Sequence, residues 1–389
     1  MSTIPYGRQG ISEADIQAVV DVLRSDYLTQ GPVVPAFEAC LAGYCDAQYA
    51  VAVNSATSAL HIACLALGVG PGDRVWTTPI TFVASANCAL YCGATVDFVD
   101  IDGRSFDMSI ACLTEKLAQA KINGRLPKIV IPVHMTGQPC DMAAIYALSL
   151  QCGFKIIEDA SHAIGGKYRG EPVGNGRYSD ITVFSFHPVK IVTAGEGGMA
   201  LTNDAQLAKH MRLLRSHGIS SDAADMDARP VDEIWNYQQI TLGFNYRMTD
   251  IHAALGLSQM QRLDEFVAKR HEIAKRYDRL LADLPVETPR QQEDGYSSFH
   301  LYAIRLKRDQ ISLTQREVFA ALRAAGILAN LHYIPVYRQP YYERLGFIKG
   351  YCPEAERYYQ ETISLPMYPL LMPEQQDCVV DVLSAVLKK

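Results

Sequence analysis

Two short stretches carry side chains able to do covalent chemistry. Ser185-Phe186-His187-Pro188-Val189-Lys190 follows the apolar alternation Ile181-Thr182-Val183-Phe184, and Glu158-Asp159-Ala160-Ser161-His162 closes an earlier apolar run. Lysine and aspartate at the ends of two neighbouring strands are the pair that pyridoxal phosphate chemistry requires. The amine condenses with the cofactor's aldehyde, and the carboxylate keeps the ring nitrogen protonated so that the ring accepts electrons. Each residue alone has a plainer reading. Lys190 would be a surface lysine, and Asp159 a helix cap or an ion-pair partner. The glycine-dense turn Gly195-Glu196-Gly197-Gly198 follows Lys190 directly and lets backbone run close to a neighbour. Free lysine titrates near pH ~10.4. To act as nucleophile and proton carrier near neutrality it must lose solvent or gain cationic neighbours, and a loop between two buried strands offers that.

Four further positions extend the pattern. His162, three residues past Asp159, reads as a donor to the phenolic oxygen of a pyridoxal ring or as a structural histidine. Asn54-Ser55-Ala56-Thr57-Ser58-Ala59-Leu60 follows a strand and opens a helix at His61–Leu67. Small hydroxyl residues there present free N–H groups and the positive end of the helix dipole, which suits a phosphate as well as an ordinary N-cap. Phe82 either stacks flat on a pyridine ring or fills the core. Asn245, in Gly243-Phe244-Asn245-Tyr246-Arg247-Met248, is a turn residue or a ligand to the site.

These residues need strands to deliver them. Seven short apolar runs lie at Ala50–Val53, Arg74–Thr78, Val96–Val99, Lys128–Val133, Lys155–Glu158, Ile181–Ser185 and Gly198–Thr202, with helical patterns between most of them. That alternation predicts an α/β fold with a largely parallel sheet covered on both faces. Ligands of such sheets sit beyond the carboxyl ends of strands, where Asp159 and Ser185 fall. Residues 1–15 read as an arm. A helix follows with Ser12 as its N-cap and Asp15 three positions on. One long helix is expected from Asp250 to Leu284, leading out of a large domain (16–262) into a smaller C-terminal α/β domain (263–389). The small domain is expected to contain a strand at His300–Leu306 and helices at Leu313–Ala325 and Pro373–Leu387. The polar segment Ser220–Val231 reads as a lid edge or a plain surface loop.

With 389 residues, the chain is long enough for two domains. Its 49% hydrophobic and 20% charged residues are those of an ordinary globular protein, and a net charge of -6 argues against nucleic acid as a partner. The 10 cysteines show no C-x-x-C pair and no metal-ligand spacing; Cys40, Cys45, Cys88 and Cys92 read as buried thiols in a reducing cytosol. Neither a signal-peptide pattern nor a membrane-length apolar run is evident, so a cytoplasmic location is expected.

The combined motifs Glu158–Ala163, Ser185–Lys190, Gly195–Gly198 and Gly243–Met248 closely resemble those of the DegT/DnrJ/EryC1/StrS family of pyridoxal-phosphate-dependent nucleotide-sugar aminotransferases. The likeness covers nearly the whole chain. Ile4–Gly7, Ser25–Pro32 and Asn54–Ala59 are most similar to family members that act in pseudaminic acid biosynthesis. The resemblance implies the type I aminotransferase fold, with a mixed, mostly parallel seven-stranded sheet, and a homodimer with shared active sites. It also implies that Lys190 holds the cofactor, Asp159 faces the pyridine nitrogen, His162 approaches the phenolic oxygen and Phe82 stacks on the ring. Ala56, Thr57 and Ser185 would hold the phosphate, with Asn245 reaching in from the other subunit. Tyr6, Asp26, Tyr27, Leu28 and Thr29 would line the sugar-nucleotide side, together with Asn330, His332 and Tyr333. Many members carry glycine where this chain has Ala56, whose methyl group crowds the backbone against the phosphate.

The implied reaction moves an amino group from L-glutamate to C4 of a UDP-linked 4-keto-6-deoxy-N-acetylhexosamine, with Lys190 relaying the proton. Three rival readings are weighed against it. Dehydrating relatives carry histidine in place of the lysine, so Lys190 argues against dehydration. A non-catalytic sensor or interaction protein would not need Lys190, Asp159 and His162 together. A nucleotide-binding dehydrogenase would show G-x-G-x-x-G where this chain reads Asn54–Ala59.

Overall fold

A computed structural model describes residues 3–228 and 232–388. All seven apolar runs join one sheet, formed by β1 (Tyr49–Val53), β2 (Arg74–Thr77), β3 (Thr95–Phe98), β4 (Ile129–Ile131), β5 (Lys155–Asp159), β6 (Ile181–Ser185) and β7 (Gly198–Thr202). The strand order is β1-β7-β6-β5-β4-β2-β3. β7 runs antiparallel to β1 and β6; the other adjacent pairs are parallel. Every residue of β6 and β7 is buried, as a sheet covered on both faces demands.

Side chains alternate between the faces. Val51, Val53, Ile129, Ile131, Ile181 and Val183 share a core with helices α1 (Ala56–Ala66), α2 (Ala84–Tyr91) and Ala205–Arg215. Ala50, Ala52, Phe184 and Leu201 face the other way, onto Val33–Cys45 and Asp250–Met260. Register fixes the site. Asp159 lies beside Val183 across β5–β6, and Gly198 beside Ser185 across β6–β7.

The structure corrects the expected helix from Asp250 to Leu284. Two helices occupy the segment, Asp250–Met260 and Leu263–Leu280. A buried carboxylate on another element binds the junction. Asp15 accepts from Ser258 Oγ (2.6 Å), Gln259 Nε2 (2.7 Å) and Arg262 Nη2 (2.6 Å), while Gln259 and Arg262 also donate to the Gly10 carbonyl. At the junction Arg262 leaves helical geometry, with φ -115° and ψ 11°. Asp15 also completes a capping box with Ser12, as the N-cap reading expected. The helix expected at His61–Leu67 starts earlier, at Ala56, because Ser55 caps it.

A second core gathers Ile273, Tyr277, Ile304, Val318, Ile363 and Leu383 around an antiparallel three-stranded sheet of Val286–Glu287, Tyr302–Leu306 and Thr362–Leu365. Strand Tyr302–Leu306 begins after His300, leaving that histidine free of the ladder. Ile4 belongs to this core, and Ile4–Pro5 pairs in parallel with Ile327–Leu328. In the excursion after Ser220, Asp225 pairs with Lys209 and accepts from Ser220 Oγ; residues 229–231 lie outside the described residues. All ten cysteines are free. Among the described residues, no helix is long and apolar enough to cross a membrane, and no cluster of ligating side chains could hold a metal ion.

Candidate active site

A cavity of about 900 Å³ opens beyond the ends of β5 and β6. Of the residues singled out in the sequence, Tyr6, Ala56, Thr57, Phe82, Asp159, His162, Ser185, Lys190, Asn330, His332 and Tyr333 line it. Asp26, Tyr27, Leu28, Thr29 and Asn245 do not. Tyr27 and Leu28 are exposed, Thr29 bridges to Thr249, and Asn245 is exposed and bridges to Ser216.

Lys190 sits on the loop from β6 to β7. That loop is closed by Phe186 N–H to the Gly197 carbonyl and Ala194 N–H to the Phe186 carbonyl, both 2.9 Å, and Gly195 takes a positive φ of 80° to make the turn. Burial pushes the Lys190 amine down to about 8, against the opposing pull of Asp159. The amine is thus poised to give and take a proton near neutrality.

Asp159 is buried at the end of β5. Its Oδ2 accepts from Ser85 Oγ (2.6 Å) and its Oδ1 from Ser161 N–H (3.1 Å). Neighbouring Glu158 points to the other face. It pairs with His134 Nε2 (2.8 Å) and accepts from Thr182 Oγ1 (3.2 Å) and from Ser179. Burial alone would raise its carboxyl, but these bonds outweigh burial and hold it below the ordinary value.

Histidines and tyrosines form the far wall. His162 Nε2 lies 3.2 Å from Tyr333 Oη, and its buried Nδ1 has no partner among the described residues. Burial, then Lys190 and His332, hold His162 well below its usual pKa. The His300 ring is tilted against that of His162, with centroids 4.4 Å apart, and burial likewise holds His300 well below its usual pKa. His332 is pushed to about 3 by burial and by Lys190; its Nδ1 lies 2.9 Å from Ser364 Oγ. Burial raises the Tyr333 phenol. This wall is therefore neutral at working pH and supplies hydrogen bonds without adding charge.

The start of α1 closes the opposite end. Ser55 Oγ accepts from Ser58 N–H (3.1 Å), and Ser58 Oγ donates to Asn54 Oδ1 (2.7 Å). The first-turn N–H groups of Ala56 and Thr57 have no carbonyl one turn back to bind. A Cβ on Gly198 would stand 2.5 Å from the Ser55 carbonyl carbon and 2.6 Å from its oxygen, so β7 can lie against this turn only as glycine. Phe82 is 58% exposed at the mouth, 6.4 Å from the Tyr333 ring. An uncovered aromatic face, free N–H groups at a helix start, an orphaned histidine nitrogen, a buried carboxylate and a desolvated lysine suit pyridoxal phosphate.

Sequence reasoning did not reach Ser85 or His300. Ser85 looks like one more small residue in Ala84-Ser85-Ala86, and its partner Asp159 is distant in the chain. His300 was read only as the start of a strand.

The chain matches the DegT/DnrJ/EryC1/StrS aminotransferase family over residues 9–384. It belongs to that family. It is 37% identical over 388 residues to the spore coat polysaccharide biosynthesis protein SpsC of Bacillus subtilis, covering 99% of this chain and 97% of that protein. Among solved structures it is similar to Helicobacter pylori PseC, an aminotransferase involved in the biosynthesis of pseudoaminic acid, with TM-score 0.90, 30% identity and 100% of both chains covered. It is also similar to the putative sugar aminotransferase Spr1654 of Streptococcus pneumoniae in its PLP-form, with TM-score 0.88, 30% identity and 99% of each chain covered. The chain is thus a sugar aminotransferase of the type I fold, and pyridoxal phosphate is its cofactor.

Proposed function

We propose that this DegT-family enzyme moves an amino group from L-glutamate to C4 of UDP-2-acetamido-2,6-dideoxy-β-L-arabino-hex-4-ulose, giving UDP-4-amino-4,6-dideoxy-N-acetyl-β-L-altrosamine. The observation that carries this reading is the likeness to PseC over the full length of both chains. When bound, pyridoxal phosphate supplies an electron sink for charge developing on the reacting carbon. Lys190 takes the proton from the α-carbon of glutamate and returns one to C4 of the sugar, a task suited to an amine at about 8. Asp159 holds the proton on the ring nitrogen, and His162 donates to the phenolic oxygen. Phe82 covers one ring face. Ala56, Thr57 and Ser185 bind the phosphate. Tyr6, Asn330, His332 and Tyr333 orient the sugar. Asn245 and the Asp26–Thr29 turn act across a homodimer interface, which suits their exposed positions outside the cavity of their own chain.

A second reading has support of its own. The greater identity to SpsC favours a different UDP- or dTDP-linked 4-keto sugar destined for a polysaccharide. A product assay separates the two. The enzyme is incubated with glutamate and each of the two C5-epimeric UDP-4-keto sugars, and the amino-sugar configuration is read by NMR. Selective turnover of the L-arabino epimer is expected. Equal turnover of a dTDP-linked ketone would remove the narrow assignment and leave the aminotransferase intact.

A further inference from the structure

An aspartate carboxylate is not aimed by its rotamer alone, because its terminal torsion has a broad, roughly two-fold profile. Its direction comes from the groups that bind it. In this chain the two oxygens of Asp159 are held by different groups, Oδ1 by Ser161 N–H at 3.1 Å and Oδ2 by Ser85 Oγ at 2.6 Å. Ser161 follows Asp159 in sequence and is present wherever the strand goes. Ser85 comes from α2, a separate element.

The proton order within this cluster is fixed by chemistry. An ionised carboxylate only accepts, and a serine hydroxyl has one proton to give. Ser85 spends that proton on Asp159, so its remaining capacity is to accept. Thr81 Oγ1, 2.7 Å away, is then the donor to Ser85. The competing contact from Ser85 Oγ to the Phe82 carbonyl is longer, at 3.3 Å. Thr81, Ser85 and Asp159 are all buried, at 3%, 0% and 4% exposure, which strengthens each bond of the chain. The segment that carries both hydroxyls also carries Phe82, whose ring stands exposed at the mouth of the cavity.

We propose that Ser85 is a positioning residue for Asp159, with Thr81 orienting its hydroxyl, so that the turn 81–85 sets both the aromatic cover of the ring and the carboxylate that meets its nitrogen. The inference rests on the reading of Asp159 as the partner of the ring nitrogen. Removing the Ser85 hydroxyl frees the carboxylate to rotate while leaving Phe82, Lys190 and the helix start in place.

The test uses the full chain reconstituted with pyridoxal phosphate and compares Ser85→Ala, Thr81→Val and Asp159→Asn with wild type. Three quantities are read: the Kd of the cofactor, the pH at which its visible absorption band titrates, and the melting temperature. A ring nitrogen held less firmly in its protonated form withdraws less charge from the linked amine, so the titration moves to higher pH. Ser85→Ala is expected to weaken cofactor binding roughly tenfold, the size of one lost hydrogen bond to a charged group. It should also move the titration in the same direction as Asp159→Asn and by less, with Thr81→Val smaller again. If Ser85→Ala does not fold, Thr81→Val carries the same comparison. A shift in Asp159→Asn with none in Ser85→Ala or Thr81→Val overturns the positioning role. No shift in Asp159→Asn overturns the reading of Asp159 itself.

Discussion

Gly198→Ala tests the proposed phosphate end of the site through a single methyl group. Gly198 has an ordinary backbone conformation, so only space is at issue. The added Cβ would stand 2.5 Å from the Ser55 carbonyl carbon and 2.6 Å from its oxygen, where carbon atoms in good contact keep ~3.5 Å or more. The obstacle is backbone on the N-terminal side of α1, so no side chain can swing away. Either β7 or the start of α1 must yield by about 1 Å. Overpacking of this kind costs about 1–3 kcal/mol. The N–H groups of Ala56 and Thr57 move with the helix start, so a larger share of the cost should fall on cofactor binding than on folding. A loss of roughly tenfold to a hundredfold in pyridoxal phosphate affinity is expected, with a melting temperature lowered by only a few degrees. The assay is titration of the apo-enzyme with the cofactor, followed by its visible absorbance, beside a thermal melt. Unchanged affinity within twofold would mean that the start of α1 does not hold the phosphate, and the reasoning would fail.

Two further outcomes follow from buried charges. Unfolded, Lys190 keeps its proton up to about 10.5; folded, only up to about 8. Between these values the unfolded chain binds more protons, so the stability of the apo-protein rises with pH there, and below about 8 the penalty is constant. Apo Lys190→Met should therefore be more stable than apo wild type at pH 7, by at most on the order of 3 kcal/mol and less where cavity water screens the amine. That gap should close as pH rises from about 8 to 10.5; urea melts across this range check it, and a gap constant to high pH would refute it. Asp15→Ala removes the acceptor shared by Ser258, Gln259 and Arg262 and strands a guanidinium. A loss near the lower end of ~3–5 kcal/mol is expected, since Arg262 keeps some solvent. An unchanged urea midpoint would rule that out.

The sheet was legible because its strands are buried on both faces. Continuous apolar runs such as Ile129–Ile131 have no solvent side to blur their ends, and all seven expected runs lie within a residue or two of the strands. Local pattern failed where a distant partner decides the outcome. The residues around Met260–Leu263 announce no break; the apolar spacing runs straight through, yet Arg262 leaves helical geometry where it meets Asp15, far away in sequence. The helix expected at His61–Leu67 begins at Ala56 instead, since Ser55 is the one of several small hydroxyl residues that bonds the Ser58 N–H and caps it. The candidate site divides in the same way. Lys190, Asp159 and His162 stand at strand ends or in motifs readable along the chain. Ser85 and His300 gain their place from packing across elements, which one sequence read by itself does not display.

The pairing of Ile4–Pro5 with Ile327–Leu328, together with the bond from Met367 N–H to the Tyr6 carbonyl, means that the segment Ile4–Tyr6 is stitched into the cavity wall. Drawing Ile4–Pro5 away from Ile327–Leu328 would therefore take Tyr6 out of the wall it shares with Asn330 and His332.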